Sequence, residues 1–306
     1  MQYKSPETNT INHNINLLYK FNLSDKNSLK IFHGSTRDKN GLNVLKCTKS
    51  DVIVLEKNLL TKTYYEDNTY YTNDFNGDID TIRGKIKSKP LEDDIRRFES
   101  YKELIKDSKI LDFGCGTGGF IKLSQAISQK SIGLEINDIN RKYINRIGVT
   151  CIKSLSELNN DKFDLITLNH VFEHLNDPIN ILVELQKYLK DDGVIIIEVP
   201  HARDFLLETF NLKSFKNFIF WSDHLILHTK ESLEKFAMKS GLYAKSIKGF
   251  QRYPISNHFN WLYRGQPSGH EIFHNLNNDE FHKHYEKFLD SIDQNDTLIG
   301  YFGKKI

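Results

Sequence analysis

The sequence of 306 residues predicts an α/β fold built on a doubly wound sheet of seven strands. From about residue 91 onward, short apolar runs alternate with amphipathic stretches, which is the pattern of parallel strands joined by helices. The first of these runs leads into a glycine-rich turn. Hydrophobic residues make up 39% of the chain, enough to build the core of such a sheet and to exclude global disorder.

The individual elements follow from hydrophobic spacing and from capping residues. Ile95, Phe98 and Tyr101 recur at helical spacing, and Asp177 followed by Pro178 marks a helix start. The predicted strands are 109–113, 131–136, 149–153, 163–169, 194–199, 243–250 and 297–303. The predicted helices are 91–107, 120–128, 138–147, one from 177 that ends before 193, one from 229 to 241, and 279–292.

Two regions stand outside this alternation. Residues 1–90 are polar and only weakly periodic, which predicts an irregular N-terminal arm or small cap. Residues 91–306 hold the alternating pattern, interrupted by an irregular stretch over about 251–278 that we interpret as a C-terminal insertion. The sequence therefore predicts one large α/β domain with additions at two places.

Composition excludes several classes of protein. Forty-two basic residues face forty acidic residues, so the formal charge of +2 disfavours a nucleic-acid partner. Cys47, Cys115 and Cys151 are too few and too scattered for a disulfide framework or a cysteine zinc site, and no metal ligands are predicted. The sequence has no apolar run of membrane-spanning length and no visible signal peptide, so we expect a cytoplasmic protein.

The glycine-rich turn carries the strongest functional signal. Gly114, Gly116 and Gly119 form a GxGxxG pattern between a strand and a helix, and Glu135 follows at the end of the next strand. In that context the glycines let a nucleotide-like ligand approach the backbone, and the acid accepts hydrogen bonds from ribose hydroxyls. We therefore predict a nucleoside cofactor; the alternative is a tight turn that only packs.

Asp112 distinguishes between two cofactors. It stands two residues before the first glycine, where a carboxylate would repel the pyrophosphate of a dinucleotide. A carboxylate there suits a ligand with an ammonium group and a sulfonium. The residues thus favour S-adenosylmethionine (SAM) over NAD.

Three segments then resemble motifs of class I SAM-dependent methyltransferases. They are Ile-Leu-Asp-Phe-Gly-Cys-Gly-Thr-Gly-Gly at 110–119, Gly-Leu-Glu-Ile at 133–136, and the run at 163–178 that ends Asn-His-Val-Phe-Glu-His-Leu-Asn-Asp-Pro. The resemblance covers about 100–250. It implies a Rossmann-like, mostly parallel sheet in the order 3-2-1-4-5-7-6 with the last strand antiparallel.

Carried over residue by residue, the resemblance implies a cofactor site at the carboxyl ends of the first four strands. Glu135 would hold the ribose, and Asn169 with His170 would face the methionine moiety. The full set is Asp112, Gly114, Gly116, Glu135, Ile136, Ser154, Leu155, Asn169 and His170.

The C-terminal third resembles methyltransferases that modify sugars, often nucleotide-linked ones, in bacterial surface-polysaccharide biosynthesis. Relatives that methylate carbon commonly carry an N-terminal cysteine zinc site, and this chain has only Cys47 there, so we expect O-methylation of a sugar hydroxyl. C- or N-methylation of a nucleotide-sugar or other small metabolite, a dinucleotide-dependent reductase and a non-catalytic binding protein stay open as alternatives. The sequence also leaves open whether the chain forms a homodimer.

Methyl transfer to a hydroxyl needs alignment and a base, and histidine is the natural base near neutral pH. His224, with Asp223 beside it, lies on the rim where ligands bind in such sheets, and His201 follows the fifth strand on the same rim. The predicted catalytic residues are therefore His224, Asp223 and His201. The predicted substrate-binding residues are Tyr71, Arg203, Arg252 and His258, with packing or solvated positions as their alternatives.

Overall fold

The computed structural model describes residues 10–61, 64–66 and 91–305 of the chain. Its strands within these ranges are β1 (Thr10–Ile11), β2 (Leu29–Ser35), β3 (Asn40–Cys47), β4 (Ile53–Leu55), β5 (Lys57–Asn58), β6 (Lys109–Phe113), β7 (Lys130–Leu134), β8 (Thr150–Ile152), β9 (Phe163–Asn169), β10 (Leu189–Pro200), β11 (Ile226–Leu227), β12 (Leu242–Phe250) and β13 (Thr297–Lys304).

Seven of these strands form the central sheet in the order β8-β7-β6-β9-β10-β13-β12. The pairs β6–β7, β7–β8, β6–β9 and β9–β10 are parallel, whereas β13 runs antiparallel to both of its neighbours, β10 and β12. In order of appearance along the chain this is 3-2-1-4-5-7-6. The predicted fold class and strand order are therefore confirmed.

Helices cover both faces of this sheet. Their bounds are α1 (His13–Lys20), α2 (Glu92–Ile105), α3 (Gly119–Ser124), α4 (Asp138–Arg146), α5 (Pro178–Gln186), α6 (Phe205–Glu208), α7 (Lys213–Ile219), α8 (Lys230–Lys239), α9 (Ile255–Arg264), α10 (Gly269–Ile272) and α11 (Asp279–Ser291). Short 3-10 helices occupy Leu155–Leu158, Phe172–His174 and His274–Leu276. No helix within the described ranges is long and apolar enough to cross a membrane.

The N-terminal part is more regular than the arm or small cap that the sequence suggested. There β2, β3 and β4 form an antiparallel sheet, and β11 from the C-terminal half completes it as a fourth strand. The strand pattern was weak in the sequence because no residue of β2 is fully buried. The tyrosine-rich segment with the predicted substrate residue Tyr71 lies outside the described residues.

The insertion near residue 251 is also more regular than expected, because α9 and α10 lie within it. Trp261 of α9 is only 2% exposed and packs against Phe215 and Phe218 of α7. The same apolar cluster includes Val44 and Leu55 of the N-terminal sheet. The N-terminal sheet and the insertion therefore share one core, beside the carboxyl ends of the central strands.

Candidate active site

The glycine turn joins β6 to α3, and its backbone conformation restricts which residues fit there. Gly114 has a φ of +76°, and a Cβ there would lie 2.5 Å from Cγ2 of Val171. Gly116 has a φ of +55°, but a Cβ at this position would meet no atom within 4 Å. The left-handed backbone and the close contact with Val171 explain why a glycine occupies position 114. The open space beside Gly116 leaves exposed backbone for a ligand to approach.

Two buried carboxylates border this turn. Asp112 is 3% exposed, and its Oδ1 accepts hydrogen bonds from Oγ1 of Thr167 at 2.7 Å and Nδ2 of Asn169 at 3.4 Å. Glu135 accepts the backbone N–H of Asn137 at 2.8 Å and that of Gly116 at 2.9 Å. Burial raises the pKa of Asp112 to about 6 and that of Glu135 to about 7. A cationic ligand would favour the charged form of Asp112, and ribose hydroxyls that donate to Glu135 would favour the charged form of Glu135.

The surroundings of the turn fit a SAM molecule. Within the described part of the chain, the buried Oδ1 of Asn169 has no hydrogen-bond partner, so one acceptor remains for a ligand donor. Ile136 is 37% exposed beside Glu135, and Ser154 and Leu155 follow β8 on the same rim. The predicted cofactor residues thus lie along the carboxyl ends of β6 to β9; the contact of each with the cofactor stays a prediction.

A cavity of about 380 Å³ opens beyond the ends of β9 and β10, and we call it the histidine-lined cavity. Its polar wall contains His170, His201, Asp204, His224, Arg252, His258 and Asp296. Its apolar wall includes Leu206, Leu207, Phe215, Phe218, Leu227 and Trp261. Four residues that the sequence assigned to catalysis or substrate, His201, His224, Arg252 and His258, therefore meet at one cavity, next to His170 of the cofactor set.

The predicted catalytic residues differ in their surroundings. Burial lowers the pKa of His224, and its Nδ1 is buried without a hydrogen-bond partner among the described residues. Asp223, the second predicted catalytic residue, contacts a different histidine: its backbone carbonyl and its carboxylate lie 2.9 and 3.6 Å from Nδ1 of His174. Nδ1 of His201 donates to the carbonyl of Asn295 at 3.0 Å, and burial lowers the pKa of His201 to about 4. Of the three, His224 is the better placed to act on a molecule in the cavity.

Two of the predicted substrate-binding residues, Arg252 and His258, line the cavity. Arg252 pairs with Asp93 and places Nη1 3.3 Å from Nε2 of His170. Nδ1 of His258 lies 2.6 Å from the hydroxyl of Tyr285.

Arg203 is not part of the cavity lining. It forms ion pairs with Asp51, Glu231 and Asp293, so its guanidinium is engaged by acids of the chain, and its role in substrate binding stays a prediction.

Sequence reasoning missed a buried ion cluster between the two parts of the site. Glu198 of β10 is fully buried, and its Oε1 lies 2.7 Å from Nη2 of Arg96, 2.8 Å from Nη2 of Arg97 and 3.2 Å from Nε2 of His170. Burial opposes its ionisation, but His170 and Arg97 hold the pKa of Glu198 well below its usual range. The only sequence signal was an acid inside an otherwise apolar strand.

Two cavity carboxylates were also missed. Asp204 caps α6 by accepting the N–H of Leu206 at 2.7 Å, and burial together with the charge of Asp296 raises the pKa of Asp204 to about 8. Asp296 accepts the N–H of Arg252 at 3.1 Å. The sequence signal was weak, because both residues sit in loops where acids are usually solvated.

The strand order, the glycine turn and its two buried acids define a class I SAM-dependent methyltransferase, with SAM as the cofactor. Residues 84–246 match the family model described as "Methyltransferase domain", and the chain belongs to that family. The match begins shortly before α2 and runs into β12.

Among curated proteins, the chain is 30% identical over 156 residues to an uncharacterised protein of Methanocaldococcus jannaschii, covering 50% of this chain and 72% of that protein. It is 23% identical over 181 residues to a ubiquinone biosynthesis O-methyltransferase of Actinobacillus pleuropneumoniae, covering 50% and 73%. Among solved structures, a SAM-dependent methyltransferase of Archaeoglobus fulgidus matches with a TM-score of 0.49 and 20% identity, over 77% of this chain and 99% of that chain.

Proposed function

We propose that this protein transfers the methyl group of SAM to a hydroxyl group of a sugar, free or nucleotide-linked, as a cytoplasmic step of surface-polysaccharide biosynthesis. The observation that carries the proposal is the mixed lining of the histidine-lined cavity, which combines aromatic rings with carboxylates and imidazoles. A sugar presents matching groups, an apolar C–H face and a rim of hydroxyl groups.

The cavity residues supply recognition in two forms. Tyr253, which is 41% exposed, and the half-buried Phe218 offer aromatic surface against which a sugar ring packs. Asp296 and Asp204 lie on the polar wall, where a carboxylate accepts hydroxyl hydrogen bonds and a protonated carboxyl also donates one. A volume of about 380 Å³ is in the range of small-ligand sites, so the proposal is limited to a small acceptor or to one sugar of a longer molecule.

When bound, SAM supplies a methyl group on a positively charged sulfur, which the acceptor oxygen displaces so that the C–S electron pair leaves with sulfur. Asp112, Gly116, Glu135 and Asn169 would hold the cofactor along the turn. His224, kept neutral by burial, would accept the proton that the hydroxyl loses as its oxygen–carbon bond forms. The products are a methyl ether, S-adenosylhomocysteine and a protonated imidazole, so atoms and charge balance.

A phenolic acceptor is a second candidate. The apolar wall would accommodate an aromatic ring as well as a sugar face, and several relatives carry the name ubiquinone biosynthesis O-methyltransferase. C- or N-methylation of a small metabolite is the alternative chemistry. These candidates predict different acceptors and different products, so one assay separates them.

The test incubates the full-length protein with SAM and three acceptor sets: free sugars, nucleotide-sugars and catechols. Mass spectrometry then records which compound gains one methyl group, and the position of the methyl is read by NMR. Methylation of a sugar oxygen supports the proposal. Turnover of catechols alone would replace the sugar with a phenol, and methylation at carbon or nitrogen would overturn the assignment of a hydroxyl.

A further inference from the structure

Glu173, His174 and His224 form a compact cluster of metal-binding side chains at the edge of the histidine-lined cavity. Glu173 and His174 belong to the 3-10 helix Phe172–His174 that follows β9, and His224 lies in the loop before β11. One ligand atom from each residue lies within 4.8 Å of the other two. The folding of the chain thus brings together an oxygen donor and two nitrogen donors from segments fifty residues apart.

The hydrogen bonds of the described residues leave this cluster unsatisfied. Glu173 is fully buried; its Oε1 lies 3.2 Å from Nδ1 of His170, but its Oε2 has no partner in the described part of the chain. Nδ1 of His224 is likewise buried and unpartnered there. A buried carboxylate oxygen and a buried ring nitrogen without partners are both costly. A bound cation would satisfy both.

The orientation of the His174 ring also fits a metal ligand. Its Nδ1 lies 2.9 Å from the carbonyl oxygen of Asp223 and 3.1 Å from the hydroxyl of Tyr65, so this nitrogen is engaged away from the cluster. Its Nε2 faces Glu173, 3.9 Å from Oε1. An imidazole that donates one N–H to a carbonyl and turns its other nitrogen inward is the usual arrangement of a metal-bound histidine.

We propose that Glu173, His174 and His224 bind one divalent transition-metal ion. Two imidazole nitrogens and one carboxylate suit Zn²⁺ and related ions better than Mg²⁺, which prefers oxygen ligands. Three protein ligands leave a coordination position for another group, and His224 lines the cavity. The functional consequence rests on the proposed function: the ion would position an acceptor oxygen and ease loss of its proton to solvent water, and His224 would then serve as a ligand of the ion in place of the base.

The test measures metal binding directly. Tag-free, full-length protein is treated with a chelator, dialysed and titrated with Zn²⁺ against a chromogenic competitor, and a parallel titration with Co²⁺ records its visible absorption bands. The variants are His224→Ala, His174→Ala and Glu173→Gln. The matched control is His284→Ala, because His284 is exposed on α11, outside the cluster. Melting temperature and circular dichroism of each variant check its fold.

We expect the wild type and His284→Ala to bind one equivalent of Zn²⁺, and each cluster variant to bind at least about tenfold more weakly, since even indirect supports of a metal site matter by that factor. Mg²⁺ should not compete. Wild type that binds no Zn²⁺, or folded His224→Ala and His174→Ala that bind like the control, would overturn the proposal. Because Glu173 also holds His170, Glu173→Gln can fail to fold. In that case, Zn²⁺ binding by His224→Ala and His174→Ala tests the proposal.

A second measurement separates this inference from the proposed function. SAM affinity is determined by calorimetry in the chelator-treated wild type and in His224→Ala. SAM binding with no metal binding would refute the ion alone and leave His224 as the base. Zn²⁺ binding without methylation of any acceptor in the panel would leave the metal site standing and refute the proposed reaction.

Discussion

The two parts of the site are built in different ways. The cofactor turn is assembled from a short stretch of sequence: Asp112 lies near the end of β6, Gly114 and Gly116 lie in the turn that follows, and Glu135 comes directly after β7. The histidine-lined cavity is assembled from residues far apart in sequence, such as His170, His224 and Trp261. A local turn suffices to present backbone to a nucleoside, whereas a shaped cavity needs several packed segments. Variants that affect one part and spare the other test this division.

The largest expected effect falls on the cavity. His224→Ala should lower turnover by about 10²–10⁴-fold while SAM affinity changes little, because a proton acceptor or its equivalent contributes that range and His224 lies outside the cofactor turn. Single-turnover rate, SAM calorimetry and melting temperature are measured on the same variant, with His284→Ala as the control. A rate within about threefold of wild type at saturating acceptor would remove His224 from the chemistry.

The next effect concerns the ion cluster that links the two parts. Glu198→Gln should destabilise the fold by about 3 kcal/mol or more, because it leaves the buried guanidinium of Arg97 without its anionic partner. Urea unfolding measures the change, and Asp161→Asn is the comparison, since the half-exposed Lys130–Asp161 pair is worth less than about 1 kcal/mol. Equal losses in the two variants would contradict a special role for Glu198.

The cofactor turn has its own variant. Glu135→Ala should weaken SAM binding by about 1–3 kcal/mol, since the ribose loses a charged acceptor and the N–H of Gly116 loses its partner. Calorimetry on folded protein measures this, with Glu184→Ala as the control because Glu184 is exposed on α5, away from the cofactor turn. Unchanged SAM affinity would place Glu135 outside the binding site.

SAM affinity should also depend on pH. The pKa of Asp112 is raised to about 6 and that of Glu135 to about 7 in the free protein, so both acids become protonated as the pH falls from 8 to 5. The cationic groups of SAM favour a charged Asp112, and its ribose hydroxyls favour a charged Glu135 as acceptor, so affinity should fall as the pH falls, by at most about tenfold per pH unit for each group below its pKa. Asp112→Asn should flatten the lower part of this profile. A profile without slope in the wild type would show that neither charge contributes.

The smallest effect separates two arginines. Arg203→Lys should leave the KM for the acceptor unchanged and cost less than about 1 kcal/mol of stability, because its ion pairs are partly exposed. Arg252→Lys should raise that KM, since Arg252 lines the cavity and contacts His170. Steady-state kinetics give the KM for the acceptor in both variants. A raised KM in Arg203→Lys would show that Arg203 contributes to substrate binding.

Prediction from the sequence was accurate where a local pattern decides the structure. Strands 109–113 and 163–169 match β6 and β9 residue for residue, because apolar runs at these positions end at clear polar or glycine signals. It was less accurate where packing decides. β10 begins at Leu189, before the predicted 194, with an irregular register between Leu189 and Val194, and α9 formed where Pro254 and mixed polar residues suggested an irregular loop.

The sequence by itself determined the sheet, the glycine turn and the acids beside it, because strand periodicity and turn geometry depend on neighbouring residues. Three features depended on how distant segments pack: His224 joins Glu173 and His174, Arg203 pairs with three acids, and Glu198 holds two arginines. Such contacts join segments separated by tens of residues. Burial then sets their charge, and burial is a property of the packed chain that no local pattern contains.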